Sequence, residues 1–100
     1  MSKRYFLVRV IFDKPITEQR LVELINASIT RYFGEIGSAA ISLQFISHKP
    51  NAEAVVACQK CMSNQLLTAL TFVQEADGIP ISILVVRVSG TIRGLSKPNK

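Results

Sequence analysis

Apolar and polar positions recur along this chain with two periods, and the period changes at turn-forming residues. Residues 5–12 form a continuous apolar and β-branched run, with Phe6, Val8, Val10 and Phe12 on one face and Arg9 on the other. That pattern predicts a central strand. Asp13-Lys14-Pro15 breaks it, and Thr17 then stands as an N-cap with Glu18 in the first helical turn. Leu21, Leu24, Ile25, Ser28, Ile29 and Tyr32 recur at spacings of three and four, the mark of an amphipathic helix. Gly34 is expected to stop that helix, and Gly37 to end the loop after it.

Residues 39–47 alternate, with Ile41, Leu43 and Phe45 set against Ser42 and Gln44, and predict a half-buried strand. His48-Lys49-Pro50-Asn51 has the chemistry of a turn, which makes residues 53–59 the returning strand of a hairpin. A second helix is expected from about Ser63, with Met62, Leu66, Ala69, Leu70 and Val73 inward and Asp77-Gly78 closing it. Residues 81–88 supply the last strand. Its alternation is taken with Leu84, Val86 and Val88 inward, which leaves Ile81, Ile83, Val85 and Arg87 outward. Residues 89–100 are a polar, basic tail.

The order β-α-β-β-α-β predicts one α+β domain spanning residues 1–100. Right-handed crossovers make it a ferredoxin-like, RRM-like sandwich: a four-stranded antiparallel sheet with two helices on one face. The first and last strands are then antiparallel neighbours. With the phase above, the open face carries Tyr5, Leu7, Arg9, Ile11, Ile81, Ile83, Val85 and Arg87, of which all but the two arginines are apolar or aromatic. Such a face predicts a protein partner over Tyr5, Leu7, Ile81, Ile83 and Val85.

Charge sharpens the picture through its placement. The chain has 12 Lys and Arg against 7 Asp and Glu. Lys3, Arg4 and Arg9 near the start, and Arg87, Arg93, Lys97 and Lys100 near the end, have no acid among them, while the body between is mildly acidic. The predicted strand pairing gathers Lys3 and Arg4 with Arg93 and Lys97 into one basic edge, which implies either nucleic acid or a solvated tail. Hydrophobic residues make up 48% of the chain, yet no run approaches the ~20 apolar residues of a membrane span. No signal-peptide cleavage site follows the first apolar run, and two cysteines do not make a secreted framework, so an intracellular protein with no membrane association is expected.

Candidate chemistry is sparse. Cys58-Gln59-Lys60-Cys61 reads most simply as a strand residue and a helix-start residue, with thiol-redox or shared-metal roles kept beside that reading. A structural zinc site needs four ligands, and His48, the single histidine, lies ten residues from Cys58 along an extended strand. There is no triad, paired carboxylate or P-loop, so no catalytic residue, metal ligand or cofactor is assigned to this chain. Residues 53–59 contain no aromatic, so bases are not expected to stack on the sheet, and RNA contact should be backbone-directed and salt-dependent. A ligand-binding or oligomerisation module and a thiol or metal carrier stay open as other function classes.

Three stretches carry a resemblance. Phe33-Gly34-Glu35-Ile36-Gly37 follows the first helix, Ala69-Leu70-Thr71-Phe72-Val73 lies in the second with Gly78 after it, and Val88-Ser89-Gly90-Thr91-Ile92-Arg93 closes the last strand. Together they resemble the ribonuclease P protein component 2 family, of the Pop-five type shared with ribonuclease MRP, over nearly the whole chain. The resemblance implies an RNA-binding subunit that is not itself a catalyst. It acts with the ribonuclease P RNA, which holds the magnesium ions and cleaves the 5′ leader from precursor tRNA in the cytoplasm. It also implies pairing with protein component 3, a TIM-barrel-like subunit, and self-association. By that analogy Ser89, Gly90, Thr91, Ile92 and Arg93 form the functional strand end, with Gly90 permitting close approach, Thr91 supplying a hydroxyl and Arg93 a phosphate contact. Lys3, Arg4 and Lys97 complete the expected RNA-binding set. Relatives often have a longer basic leader than Met1 to Lys3 provides.

Overall fold

Alternating burial along Lys3–Phe12 defines β1, the strand on which the rest is assembled. The structure is a computed structural model that describes residues 2–49 and 52–95. Phe6, Val8 and Val10 face the core, as their spacing requires. α1 (Glu18–Ile41) opens at Thr17, whose Oγ1 accepts the Arg20 backbone N–H at 3.1 Å. Its Leu21, Ile25 and Ile29 are fully buried. Ser28, a buried polar residue on the same stripe, donates to the Ala69 carbonyl at 2.7 Å, which offsets its desolvation and pins the two long helices together.

β2 (Gln44–Lys49) and β3 (Glu53–Gln59) form a hairpin, and β3 leads through a short 3₁₀ turn (Lys60–Met62) into α2 (Ser63–Thr71). β4 (Glu75–Ala76) and β5 (Ile79–Ser89) follow, and α3 (Ile92–Leu95) adds a single turn. The sheet order is β2-β3-β1-β5-β4, and the pairs are antiparallel. Leu66, Ala69, Leu70 and Val73 close the core from the α2 side. The ferredoxin-like arrangement therefore holds, with a fifth, two-residue strand added at one edge.

Several local expectations are corrected. Gly34 does not stop α1 but kinks it, with φ 72 and ψ −179, and the helix resumes to Ile41. Gly37 is needed there because a Cβ would lie 2.6 Å from that of Phe33. Residues 39–41 are thus helical, and Ile41 is buried from a helix rather than from a strand. Ser42, at φ 53, ends the helix, and the strand starts at Gln44. His48 belongs to β2, opposite Ala54, and not to the turn; Pro50 and Asn51 lie outside the described residues. Asp77 and Gly78 do not cap α2 either. Both have positive φ (54 and 80), the signature of a two-residue hairpin turn, and they join β4 to β5.

The largest correction concerns the phase of β5. Ile81 and Ile83 are 3% and 6% exposed and Val85 packs on the core, whereas Leu84 and Val86 are nearly half exposed. Ile81, Ile83 and Val85 therefore cannot form an outward partner surface. The cause is a β-bulge: Val8 pairs with Val85 but Leu7 pairs with Arg87, so Val86 has no partner on β1. Two alternations meet at that point. One is set by Ser82 at the start of the strand and the other by Arg87 near its end, and the apolar run from Ile83 through Val86 hides the change. Past the bulge Arg87 stands opposite Leu7 and Val88 opposite Phe6, but Val88 is 45% exposed, so of the three residues expected inward on this strand none is buried.

Candidate nucleic-acid interface

Antiparallel pairing of β1 with β5 sets Tyr5 opposite Ser89, so the start of the chain lies beside the end of the last strand. The cations gathered there divide between the two sides of the sheet. On the outer side, Lys3 bonds the Gln44 side chain, and Arg87 donates to the Gly94 carbonyl at 3.5 Å. Arg93 is on this side too, lining a hollow of about 290 Å³ with Leu7, Ser47, Glu53, Val55, Ile92 and Leu95. On the helix side, Arg4 pairs across from Cys58 and lines a cleft with Ser2, Gln59, Lys60, Cys61 and Ser63. The predicted single edge is thus two basic regions, Arg4 in one and Lys3, Arg87 and Arg93 in the other. Lys97 lies outside the described residues.

The Ser89-Gly90-Thr91 stretch does something definite. Ser89 Oγ accepts the Thr91 N–H at 3.2 Å, and Thr91 Oγ1 accepts the Gly94 N–H at 3.1 Å. These two bonds reverse the chain and start α3, in the way short polar side chains turn and cap backbone. Leu95 is thereby buried against the outer sheet face, where Leu7 and Val55 are also covered. The glycine that the turn demands is Gly94: a Cβ there would lie 2.0 Å from Ser89 Oγ. Gly90 needs no such exemption, since its Cβ would meet only Arg4 Nη1 at an ordinary 4.0 Å. The spacing Ser-x-Thr-x-x-Gly was the sequence signal for this turn.

The outer face is mixed. Arg9 and Glu53, directly paired across β1 and β3, form a salt bridge of 3.0 Å. Beside them Ile11, Leu84 and Val86 leave apolar surface open. Lys60 escaped the sequence reading because it sits inside the Cys58–Cys61 pair. Cys58 is buried, and that burial pushes its thiol up to about 11, while Cys61 is exposed. Among the described residues no cluster of three or more His, Cys, Asp or Glu could hold a metal, and no helix is long and apolar enough to cross a membrane.

Comparison with known proteins decides the family. The family model described as the Rpp14/Pop5 family matches residues 4–98. The chain belongs to the Rpp14/Pop5 family. Among Rpp14/Pop5 relatives, "Ribonuclease P protein component 2" of Pyrococcus horikoshii is 33% identical, over 96% of this chain and 81% of that protein. The protein of the same name from Methanocaldococcus jannaschii is 25% identical over 99% and 78% of the two chains. "Ribonuclease P/MRP protein subunit POP5" of Schizosaccharomyces pombe is 33% identical over 81% of this chain and 60% of its own length. A chain in the cryo-EM structure of yeast ribonuclease MRP has the same fold, with a TM-score of 0.76 at 16% identity, over 90% of this chain and 75% of that one. Neither a ligand-binding module nor a thiol or metal carrier gains support from these relatives.

Proposed function

We propose that this chain is a noncatalytic, RNA-binding protein subunit of ribonuclease P, supporting the catalytic RNA as it removes the 5′ leader of precursor tRNA. The observation that carries the reading is the family match over residues 4–98 together with relatives named as ribonuclease P component 2 along nearly the full chain. The placement of charge agrees with it. Arg4, Lys60, Lys3 and Arg93 cluster at the end of the sheet where β1 starts and β5 finishes, and Arg4 and Lys60 line a cleft with no carboxylate in its walls. These cations neutralise RNA phosphates, and magnesium, held by the RNA, supplies the chemistry.

The apolar part of the outer face is assigned to protein. Tyr5 of the expected partner surface stays there, Leu7 is covered by α3, and Ile11, Leu84 and Val86 replace Ile81, Ile83 and Val85. Protein component 3 and a second copy of this chain are the partners proposed for it, in the cytoplasm. Co-purification tests the assignment. A tagged chain expressed in its native cell should bring down one abundant structured RNA and a fixed set of proteins. Recovery of the chain without RNA at low salt would contradict it.

A further inference from the structure

We propose that the cleft between the start of β1 and the entry to α2 is a phosphate-binding site for RNA backbone, with Arg4 and Lys60 as its cations and Cys61 at its wall. The proposal rests on the RNA-subunit reading above and deepens it, by giving the RNA one defined place on the helix side of the sheet.

The cleft measures about 630 Å³ and is lined by Ser2, Arg4, Gln59, Lys60, Cys61 and Ser63, two of them cationic and none acidic. Four other cations among the described residues are occupied. Arg9 pairs with Glu53 at 3.0 Å, Arg20 with Asp77 at 2.9 Å and Glu23 at 3.3 Å, Lys3 with Gln44, and Arg87 with the Gly94 carbonyl. Arg4 and Lys60 make no ion pair or hydrogen bond through their side chains among the described residues. Two uncompensated cations lining one cleft repel each other, and an anion between them relieves that repulsion. Arg4 is also half-buried as a residue.

The frame is held in place. The Lys60 backbone N–H donates to the Ser2 carbonyl at 3.1 Å, Arg4 stands opposite Cys58, and Ser63 Oγ donates to the Lys60 carbonyl at 2.6 Å. Those bonds fix the chain on both sides of the cleft without using either cationic head. Arg4 Nη1 also lies next to Gly90, 4.0 Å from where a Cβ there would stand, so no side chain of that residue crowds the guanidinium.

Cys61 makes the site testable on the unaltered protein. Its thiol is exposed, whereas Cys58 is buried with its thiol pushed up to about 11, so N-ethylmaleimide at neutral pH reads Cys61 alone. Bound ribonuclease P RNA should slow that alkylation at least tenfold. In parallel, RNA binding is measured from 50 to 400 mM KCl for the full chain, an Arg4→Ala, Lys60→Ala double variant, and Lys14→Ala at the opposite end of β1. The double variant should lose roughly tenfold to a hundredfold in affinity at low salt, and its log–log salt slope should shrink by about 1.5. Lys14→Ala should match the parent. An unchanged slope in the double variant, or unslowed alkylation with RNA bound, overturns the cleft while leaving the subunit reading intact. Shielding of Cys61 by partner proteins but not by RNA overturns it as well, as a protein contact. A parent chain that binds no RNA removes both readings together.

Discussion

Phe6, Val8 and Val10 on one side of β1 are almost completely buried, whereas Arg9 and Ile11, their neighbours on the other side, stand open to solvent. The contrast extends across the sheet. α1 and α2 close the inner side with Leu21, Ile25, Ile29, Leu66 and Leu70. Among the described residues the outer side receives only the single turn of α3 over Leu7 and Val55, and it keeps Ile11, Leu84 and Val86 exposed beside a cross-strand salt bridge. One face is finished by this chain alone. The other combines charge with uncovered apolar area, the part proposed above as a protein contact.

The most forceful way to break that comparison is to put a charge on each side at adjacent positions. Ile83→Asp places a carboxylate among core side chains and should cost more than about 4 kcal/mol, leaving little folded protein in a urea titration. Leu84→Asp, one residue along, should change stability by less than about 1 kcal/mol while weakening partner binding. If the two variants melted alike, the bulge-defined phase of β5 would be wrong.

A second test uses pH against the inner side. Burial raises the Cys58 thiol from 9.0 to about 11, so above pH 9 the unfolded chain ionises there while the folded chain stays neutral. The unfolded state then binds fewer protons, and stability falls as pH rises from about 9 towards 11, by on the order of 2 kcal/mol in total. Cys58→Ala should remove that part of the alkaline loss, and Cys61→Ala should leave it in place. Chemical denaturation at pH 8 and pH 10.5 measures the difference.

A smaller effect sharpens the outer side. Gly94→Ala sets a Cβ against Ser89 Oγ and should release α3, at a cost to global stability of about 1 kcal/mol. Its clearer mark should be increased binding of a hydrophobic dye, because Leu7 and Val55 lose their cover. Unchanged dye binding would mean that α3 does not shield the face.

The sequence made the inner side legible because its signals were unmixed. Thr17 capped the helix it was expected to cap, and residues 53–59 form the strand they predicted, since flanking polar residues delimit each. Where the structure departs, a local rule met a competing one. Gly34 is a helix breaker by propensity, yet the buried Ile41 makes it worthwhile for the helix to resume beyond the kink. The β5 phase was hidden because four apolar residues in succession carry no polar marker at the bulge. The candidate site was legible only in part. Charge placement and antiparallel pairing brought the two basic stretches to one end of the sheet, but a one-residue alternation separates Lys3 from Arg4, and nothing in the pattern of Lys60 joined it to Arg4. Register did that.

The central claim is that this chain is a working part of an RNA-based endonuclease without being its catalyst. Reconstitution tests it most directly: ribonuclease P RNA and its partner proteins are assembled with and without this chain, and precursor-tRNA cleavage is followed at limiting magnesium. The account predicts that omission lowers the cleavage rate by an order of magnitude or more and that added magnesium restores much of it. Cleavage unaffected by omission at low magnesium would contradict the account.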